Sequence, residues 1–241
     1  MNIYGIANNK SKNIMKKIIL LLLLLLPLTT MAQSSKKADK HAPKYLKGAV
    51  TEQNGSVVFE KTFSVSGQTR EQLYENMLFY IKDNLVAKGI EDAWTRLISD
   101  GKEDGVISAR VEEMMVFSKK FLSLDQTRFR YQITAQIENN KVKMTVSQIS
   151  YLYGEEWNEN KPTGEGGTRY RAEEWITDKH ALNEQGTKVL PLSGKFRRKT
   201  IDRVEEIFEN AMDMFEQKVK EQEESAKAQE PEKPKRQFVT E

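Results

Sequence analysis

The sequence of 241 residues contains no cysteine and only two histidines. Without cysteine the chain forms no disulfide bond and carries no lipid anchor on a cysteine, so its own hydrophobic core must stabilise it. Two histidines are too few for a histidine cluster that holds a metal ion. The turn at residues 100–105 has Lys102 where a calcium loop requires an oxygen ligand. We therefore predict no metal and no cofactor.

The scarcity of histidine also limits the chemistry that the chain can perform. His41 lies in a segment that we predict below to be a linker, and His180 lies beside Asp178 without the serine-elbow motif of a hydrolase. A single histidine in a loop is usually a surface residue rather than a general base. We therefore assign no catalytic residue.

Residues 1–32 have the organisation of a bacterial signal peptide. Lys16 and Lys17 precede the apolar run Ile18–Leu28, and Thr30-Met31-Ala32 provides small residues before a cleavage point at Gln33. The apolar run is too short for a transmembrane helix, which needs about 20 residues. We therefore expect cleavage, with no transmembrane segment left in the mature chain.

Two consequences follow from this leader. Residues 1–14 are interpreted as an upstream extension of the true start at Met15, and the mature protein is expected in the periplasm or outer envelope of a Gram-negative bacterium. The whole chain has 38 basic against 35 acidic residues, and the leader holds four lysines and no acid, which leaves 34 against 35. A nearly neutral mature chain lacks the basic footprint of a nucleic-acid-binding protein. We predict no nucleic-acid partner.

The mature chain divides by composition into three parts. Residues 33–56 are polar and rich in lysine, which predicts a flexible linker. Residues 221–241 alternate in charge and contain two prolines, which predicts a disordered tail. Residues 57–220 then form a single domain, which is long enough for one core.

Hydrophobic periodicity predicts the elements of this domain. Alternation predicts a strand from Val57 to Val65, and a capping box at Thr69 predicts a helix that ends near Gly89. A final helix is predicted to begin with Thr200 as its N-cap. Between the helices, two hairpins are predicted from strands at residues 94–99, 106–117, 128–137 and 142–146.

Glu113 interrupts the alternation of the strand at 106–117. Strict alternation places this carboxylate on the apolar face, where an uncompensated charge is costly. We expect a bulge at Glu112-Glu113 that restores the pattern, with a buried Glu113 as the alternative.

The order strand, helix, four strands, helix predicts a two-layer α+β fold with about five antiparallel strands and two helices on one face. Three runs, Val57–Tyr74, Tyr131–Ile137 and Gly194–Asp202, resemble the domain of unknown function 4468 family. The resemblance implies a fold like that of the TATA-binding protein (TBP) and an exported bacterial protein of the envelope. It supplies no activity and no catalytic residue.

The second face of the predicted sheet is open and mixed in character. Minor-groove binders of TBP shape present apolar wedges and a basic rim on this face, which the present sequence does not supply. The expected open-face residues are Glu60, Thr62, Ser64, Arg110, Glu112, Arg128, Arg130, Gln132, Thr134 and Gln136. Arg110, Arg128 and Arg130 are candidates for binding an anionic group, with a solvated role as the alternative.

The segment 151–195 is predicted to be a long loop. Its candidate binding residues are Tyr153, Trp157 and Trp175, because exposed aromatic rings can stack on a sugar or anchor a peptide. The alternative is that these rings fold back over the sheet.

Two functional hypotheses remain open. The first is a non-catalytic envelope domain that binds a partner protein, a glycan or another envelope polymer. The second is a glycan or peptide hydrolase that uses the loop carboxylates Glu155, Glu156, Glu173 and Glu174. A cleft with at least two carboxylates, one of raised pKa, would favour the hydrolase.

Overall fold

The computed structural model of the protein describes residues 39–91, 93–121, 123–158 and 161–228. Within these ranges, residues 156–158, 161–165 and 226–228 are described by their backbone alone. The predicted leader lies outside the described residues, so export stays a prediction.

Eight strands are present in this part of the chain. The first two, β1 (Glu52–Gln53) and β2 (Ser56–Val57), form a small hairpin. The main sheet contains β3 (Phe59–Ser64), β4 (Arg96–Gly101), β5 (Val106–Lys120), β6 (Ser123–Glu138), β7 (Lys141–Asn158) and β8 (Lys161–Arg171). Its order is β3-β7-β6-β5-β4, all antiparallel, and β8 pairs with the second half of β7.

The helices are of very different length. They are α1 (Arg70–Phe79), which continues as a π-helical segment (Tyr80–Val86), the short α2 (Ala172–Trp175) and α3 (Asp178–Ala181), and the long α4 (Ser193–Ala228). A 3-10 turn at Pro43–Tyr45 precedes the strands. Among the described residues, no helix combines the length and apolar character that crossing a membrane requires.

In the part of the chain that the structure describes, the sheet has one face against the helices and one face without them, as its alternation predicts. On β6 the odd-numbered residues from Phe129 to Ile137 are buried in the core, whereas Arg128, Arg130 and Gln132 are on the opposite face and only half-buried. The two-layer α+β prediction is therefore confirmed, although the main sheet has six strands rather than about five.

Local signals in the sequence also proved accurate. Thr69 Oγ1 accepts a hydrogen bond from the Gln72 amide, and the Gln72 side chain accepts one from the Thr69 amide, which completes the capping box. Asn140 has a φ of 58° in the tight turn between β6 and β7.

The predicted long loop at 151–195 is wrong. Residues 151–158 continue β7, residues 161–171 form β8, and α2 and α3 follow. The sequence of β8 is rich in glycine and has no apolar alternation, so hydrophobic periodicity could not predict its pairing with β7.

The predicted boundaries at both ends of the domain are also wrong. Tyr45 and Val50, inside the predicted linker, are buried in the core, and α4 continues through residues 221–228 of the predicted tail. Residues 229–241 lie outside the described residues. Helix α4 begins at Ser193 rather than after Thr200, because Phe196 and Arg197 are buried by neighbours that no local pattern reveals.

Arg197 explains why the segment at residues 45–46 belongs to the domain. Its side chain has 0% exposure, and its guanidinium donates to the backbone carbonyls of Tyr45, Leu46 and Ile176, each at 2.7 Å. The guanidinium also pairs with Asp178 Oδ1 at 2.7 Å. Burial lowers the pKa of Arg197, and Asp178 opposes this shift. One side chain thus joins α4 to the N-terminal segment and to the connection between α2 and α3.

Substitution of this residue tests its role. Arg197→Ala removes the side-chain donor of the Tyr45 and Ile176 carbonyls and one of the donors of the Leu46 carbonyl and Asp178, and we expect it to lower the free energy of unfolding by roughly 3–5 kcal/mol. Urea denaturation followed by circular dichroism measures the loss. Lys199→Ala, at an exposed position two residues away, is the control, and a loss below about 1 kcal/mol for Arg197→Ala would contradict the assignment.

Candidate arginine site on the open sheet face

Arginines gather at one end of the open face of the sheet. Arg96 on β4 lies opposite Arg110 on β5, Glu112 on β5 lies opposite Arg130 on β6, and Leu152 on β7 lies between Arg128 on β6 and Arg169 on β8. Residues that are directly opposite in an antiparallel pair share a face. We call this surface the arginine face, consisting of Arg96, Arg110, Arg128, Arg130 and Arg169.

Trp94 contacts two of these arginines. The guanidinium carbons of Arg110 and Arg130 each lie 4.8 Å from the centre of its indole ring. Cation–π contacts of this kind hold a guanidinium in place without neutralising its charge. Trp94 therefore positions Arg110 and Arg130 on the sheet.

Glu112 is the buried carboxylate of this surface. Its side chain has 0% exposure, and it accepts from Arg130 Nε at 2.9 Å and from Arg128 Nη1 at 3.3 Å. Arg128 also donates through Nε to Glu155 at 3.0 Å. With side-chain exposures of 12% for Arg128 and 18% for Arg130, these pairs form a largely desolvated network.

The backbone around Glu112 is fixed by the segment that leads into β4. The Glu112 amide donates to Thr95 Oγ1 at 3.0 Å, and its carbonyl accepts from the Ile90 amide at 2.6 Å. Gly89 permits this approach, since a Cβ atom there would lie 2.8 Å from Thr95 Cγ2 and 3.1 Å from the Glu112 carbonyl.

Three members of the arginine face keep their charge available. Within the described part of the chain, Arg96, Arg110 and Arg169 form no ion pair with a carboxylate, and Arg110 Nε has no hydrogen-bond partner. Loss of solvent lowers the pKa of Arg169, and the charge of nearby Arg130 lowers it further. The arrangement suits an anionic group from outside the domain.

The expected bulge at Glu112-Glu113 is wrong. Pairing of β5 with β6 is continuous from Val106 to Val116, so Glu113 points to the helix face, as strict alternation requires. Its carboxylate forms a bidentate pair with Arg203 of α4 at 2.7 and 2.9 Å. Arg203, which lies 90 residues away in the sequence, neutralises the charge of Glu113 on the helix face, so no bulge is needed to turn this carboxylate away.

Both histidines have structural contacts. His180 Nδ1 lies 2.9 Å from Thr177 Oγ1, while the neighbouring Asp178 binds Arg197 and the Gly48 amide. His41 Nδ1 accepts from the Val189 amide at 3.0 Å. Asp178 is thus engaged by partners other than the histidine beside it.

The aromatic residues of segment 151–195 pack around Phe196. Tyr153 and Trp175 lie 5.3 and 5.8 Å from the Phe196 ring, and Trp175 stacks on Tyr170 at 4.2 Å. The described rings therefore fold back over the helix side of the sheet, which is the second of the two alternatives considered from the sequence. The side chain of Trp157 lies outside the described residues.

Two of the loop carboxylates, Glu155 and Glu173, have separate partners. Glu155 binds Arg128, whereas Glu173 accepts from the Val57 amide at 2.9 Å near the start of the sheet. The side chain of Glu156 lies outside the described residues. Among described side chains, no group of three acidic or histidine residues is placed to hold a metal ion.

Comparison with known proteins shows the family to which the chain belongs. The model of the domain of unknown function 4468 (DUF4468), described as having a TBP-like fold, matches residues 59–152. A crystal structure of a DUF4468 family protein from Bacteroides ovatus is 34% identical, covers 71% of this chain and 93% of its own, and has a TM-score of 0.63. The chain belongs to the DUF4468 family.

A second solved structure supports the fold alone. A TBP-like protein from Parabacteroides distasonis is 17% identical to this DUF4468 protein, covers 69% of this chain and 97% of its own, and has a TM-score of 0.54. None of the curated proteins matches the chain. The family resemblance expected from the sequence is confirmed, and with it the TBP-like fold.

The buried carboxylate of the arginine face can be tested directly. Glu112→Gln removes the charge that faces Arg128 and Arg130, so we expect the free energy of unfolding to fall by roughly 3 kcal/mol. Glu138→Gln, on an exposed pair with Lys141, should change it by less than about 0.5 kcal/mol. Equal effects in chemical denaturation would contradict a structural role for Glu112.

Proposed function

We propose that this DUF4468 protein is an exported, non-catalytic binding domain whose arginine face binds an anionic envelope polymer. The observation that carries the proposal is the presence on one open face of Arg96, Arg110 and Arg169, whose guanidiniums form no ion pair with a carboxylate among the described residues. Guanidinium groups bind carboxylates and phosphates through charge-assisted hydrogen bonds.

The spacing of these arginines favours a polymer over a small anion. They lie on β4, β5 and β8, and the sheet order places β5, β6 and β7 between the two outer strands. Neighbouring strands are about 4.8 Å apart, so the outer arginines are separated by about 19 Å across the strands, and the register also offsets them along the strands. A ligand with repeated negative groups can contact both, whereas a single small anion cannot.

Binding is favoured over hydrolysis by the partners of the acidic residues. Glu155 is neutralised by Arg128, and Glu173 binds a backbone amide, so each has a structural role. Ion pairing with Lys143 lowers the pKa of Glu60, the opposite of the shift that a general acid requires. The predicted leader supports a site of action outside the cytoplasm.

Isothermal titration with polygalacturonate, which repeats carboxylates, tests the proposal, with neutral dextran as the control ligand. The chain from Gln33 onward is expected to bind the acidic polymer and to lose affinity as salt rises. The double variant Arg96→Ala, Arg169→Ala should bind about tenfold more weakly, because two charge-assisted contacts are lost.

A matched variant separates this site from general attraction. Lys61→Ala with Lys82→Ala removes the same charge from exposed positions elsewhere and should leave affinity within about twofold. Equal losses in both double variants would overturn the assignment of the site. Binding to polyglutamate alone would indicate an acidic protein partner, and the release of shortened polymer would indicate a hydrolase.

A further inference from the structure

The hairpin of β5 and β6 carries an exposed apolar tip. Phe121 is 99% exposed, Leu124 is 52% exposed and Val116 is 39% exposed. Lys119 lies opposite Leu124 in the same ladder, and Lys120 follows it. We call these five residues the hairpin tip.

The base of the hairpin is held firmly by the core. The Phe117 ring lies 4.6 Å from the Phe196 ring of α4. Lys195 Nζ binds Asp125 Oδ2 at 2.8 Å and the Tyr153 hydroxyl at 2.8 Å. The tip is therefore presented to solvent by a braced two-stranded arm, and none of the described residues covers its phenylalanine.

The charges of the tip indicate what could cover it. Lys119 and Lys120 are exposed and, within the described part of the chain, form no ion pair, while the nearby Asp125 is neutralised by Lys195. An exposed aromatic ring beside two lysines combines the apolar and the basic signal that peripheral membrane binding requires.

We propose that the hairpin tip binds the surface of an anionic membrane, with Phe121 inserted at the level of the lipid headgroups. A stable protein interface buries about 800 Å² on each partner, which one phenylalanine, one leucine and one valine at the end of a narrow hairpin cannot supply. A membrane requires no matching shape, and its phosphates complement the two lysines. Membrane binding at the tip and polymer binding at the arginine face involve different residues.

Vesicle co-sedimentation of the chain from Gln33 onward tests this assignment. We expect binding to vesicles of phosphatidylcholine mixed with phosphatidylglycerol, and much weaker binding to phosphatidylcholine alone. Phe121→Ser should lower the partition coefficient roughly tenfold. Lys119→Ala with Lys120→Ala should also lower the partition coefficient at least roughly tenfold. High salt should remove the difference between this double variant and the wild type.

Phe79 provides a matched control, because it is a second exposed phenylalanine, 56% exposed, on α1. Phe79→Ser should leave vesicle binding unchanged, and both serine variants should keep the wild-type circular dichroism spectrum. An equal loss for Phe79→Ser and Phe121→Ser, or no binding of the wild type to anionic vesicles, would overturn the proposal.

Fluorescence gives a second readout that does not depend on affinity alone. The tryptophan emission of Phe121→Trp is expected to shift to shorter wavelength with anionic vesicles and to be quenched by brominated lipid. The emission of Phe79→Trp is expected to show neither change. If Phe121→Trp still binds vesicles but its emission is not quenched, the membrane contact lies elsewhere and the hairpin tip is not the binding site.

Discussion

The burial of Arg197 is the constraint on which the packing of the N-terminal segment, α4 and the connection between α2 and α3 depends. The carbonyls of Tyr45, Leu46 and Ile176 lie in connecting segments that no strand can pair, and buried carbonyls require donors. One planar guanidinium supplies donors in several directions at once, which a lysine ammonium would do with less fixed geometry. Its place on α4 next to Phe196 also fixes the aromatic rings that cover the second half of β7.

Largely buried charges with arginine partners are found on both faces of the sheet at β5. Glu113 faces the helices and is held by Arg203, while Glu112 faces the other way and is held by Arg128 and Arg130. Two adjacent acids on one strand are thus compensated separately, since neighbouring residues of a strand point to opposite faces. Our proposal that this face binds anions rests on Arg96, Arg110 and Arg169, which form no ion pair with a carboxylate among the described residues.

A TBP-like architecture does not determine what the sheet binds. Folds of this kind carry unrelated functions, so function has to be inferred from the residues on the surface rather than from the class of fold. In this DUF4468 protein our proposals rest on two surfaces, the arginine face and the hairpin tip. Both carry positively charged side chains, and they differ in that one is a broad polar sheet and the other is a narrow apolar projection.

The sequence by itself determined the strands with strict alternation, the capping box at Thr69, the turn at Asn140 and the two-layer fold class, because each depends on residues close together in the chain. It also identified Arg110, Arg128 and Arg130 as candidates. It could not place Arg96, Arg169 or Trp94 beside them, since that requires the register of β4, β5 and β8. Only the tertiary structure showed which face of the sheet Glu113 occupies, where α4 begins and that residues 39–56 belong to the domain. In each case a partner distant in sequence supplies the hydrogen bond or the cover that no local pattern encodes.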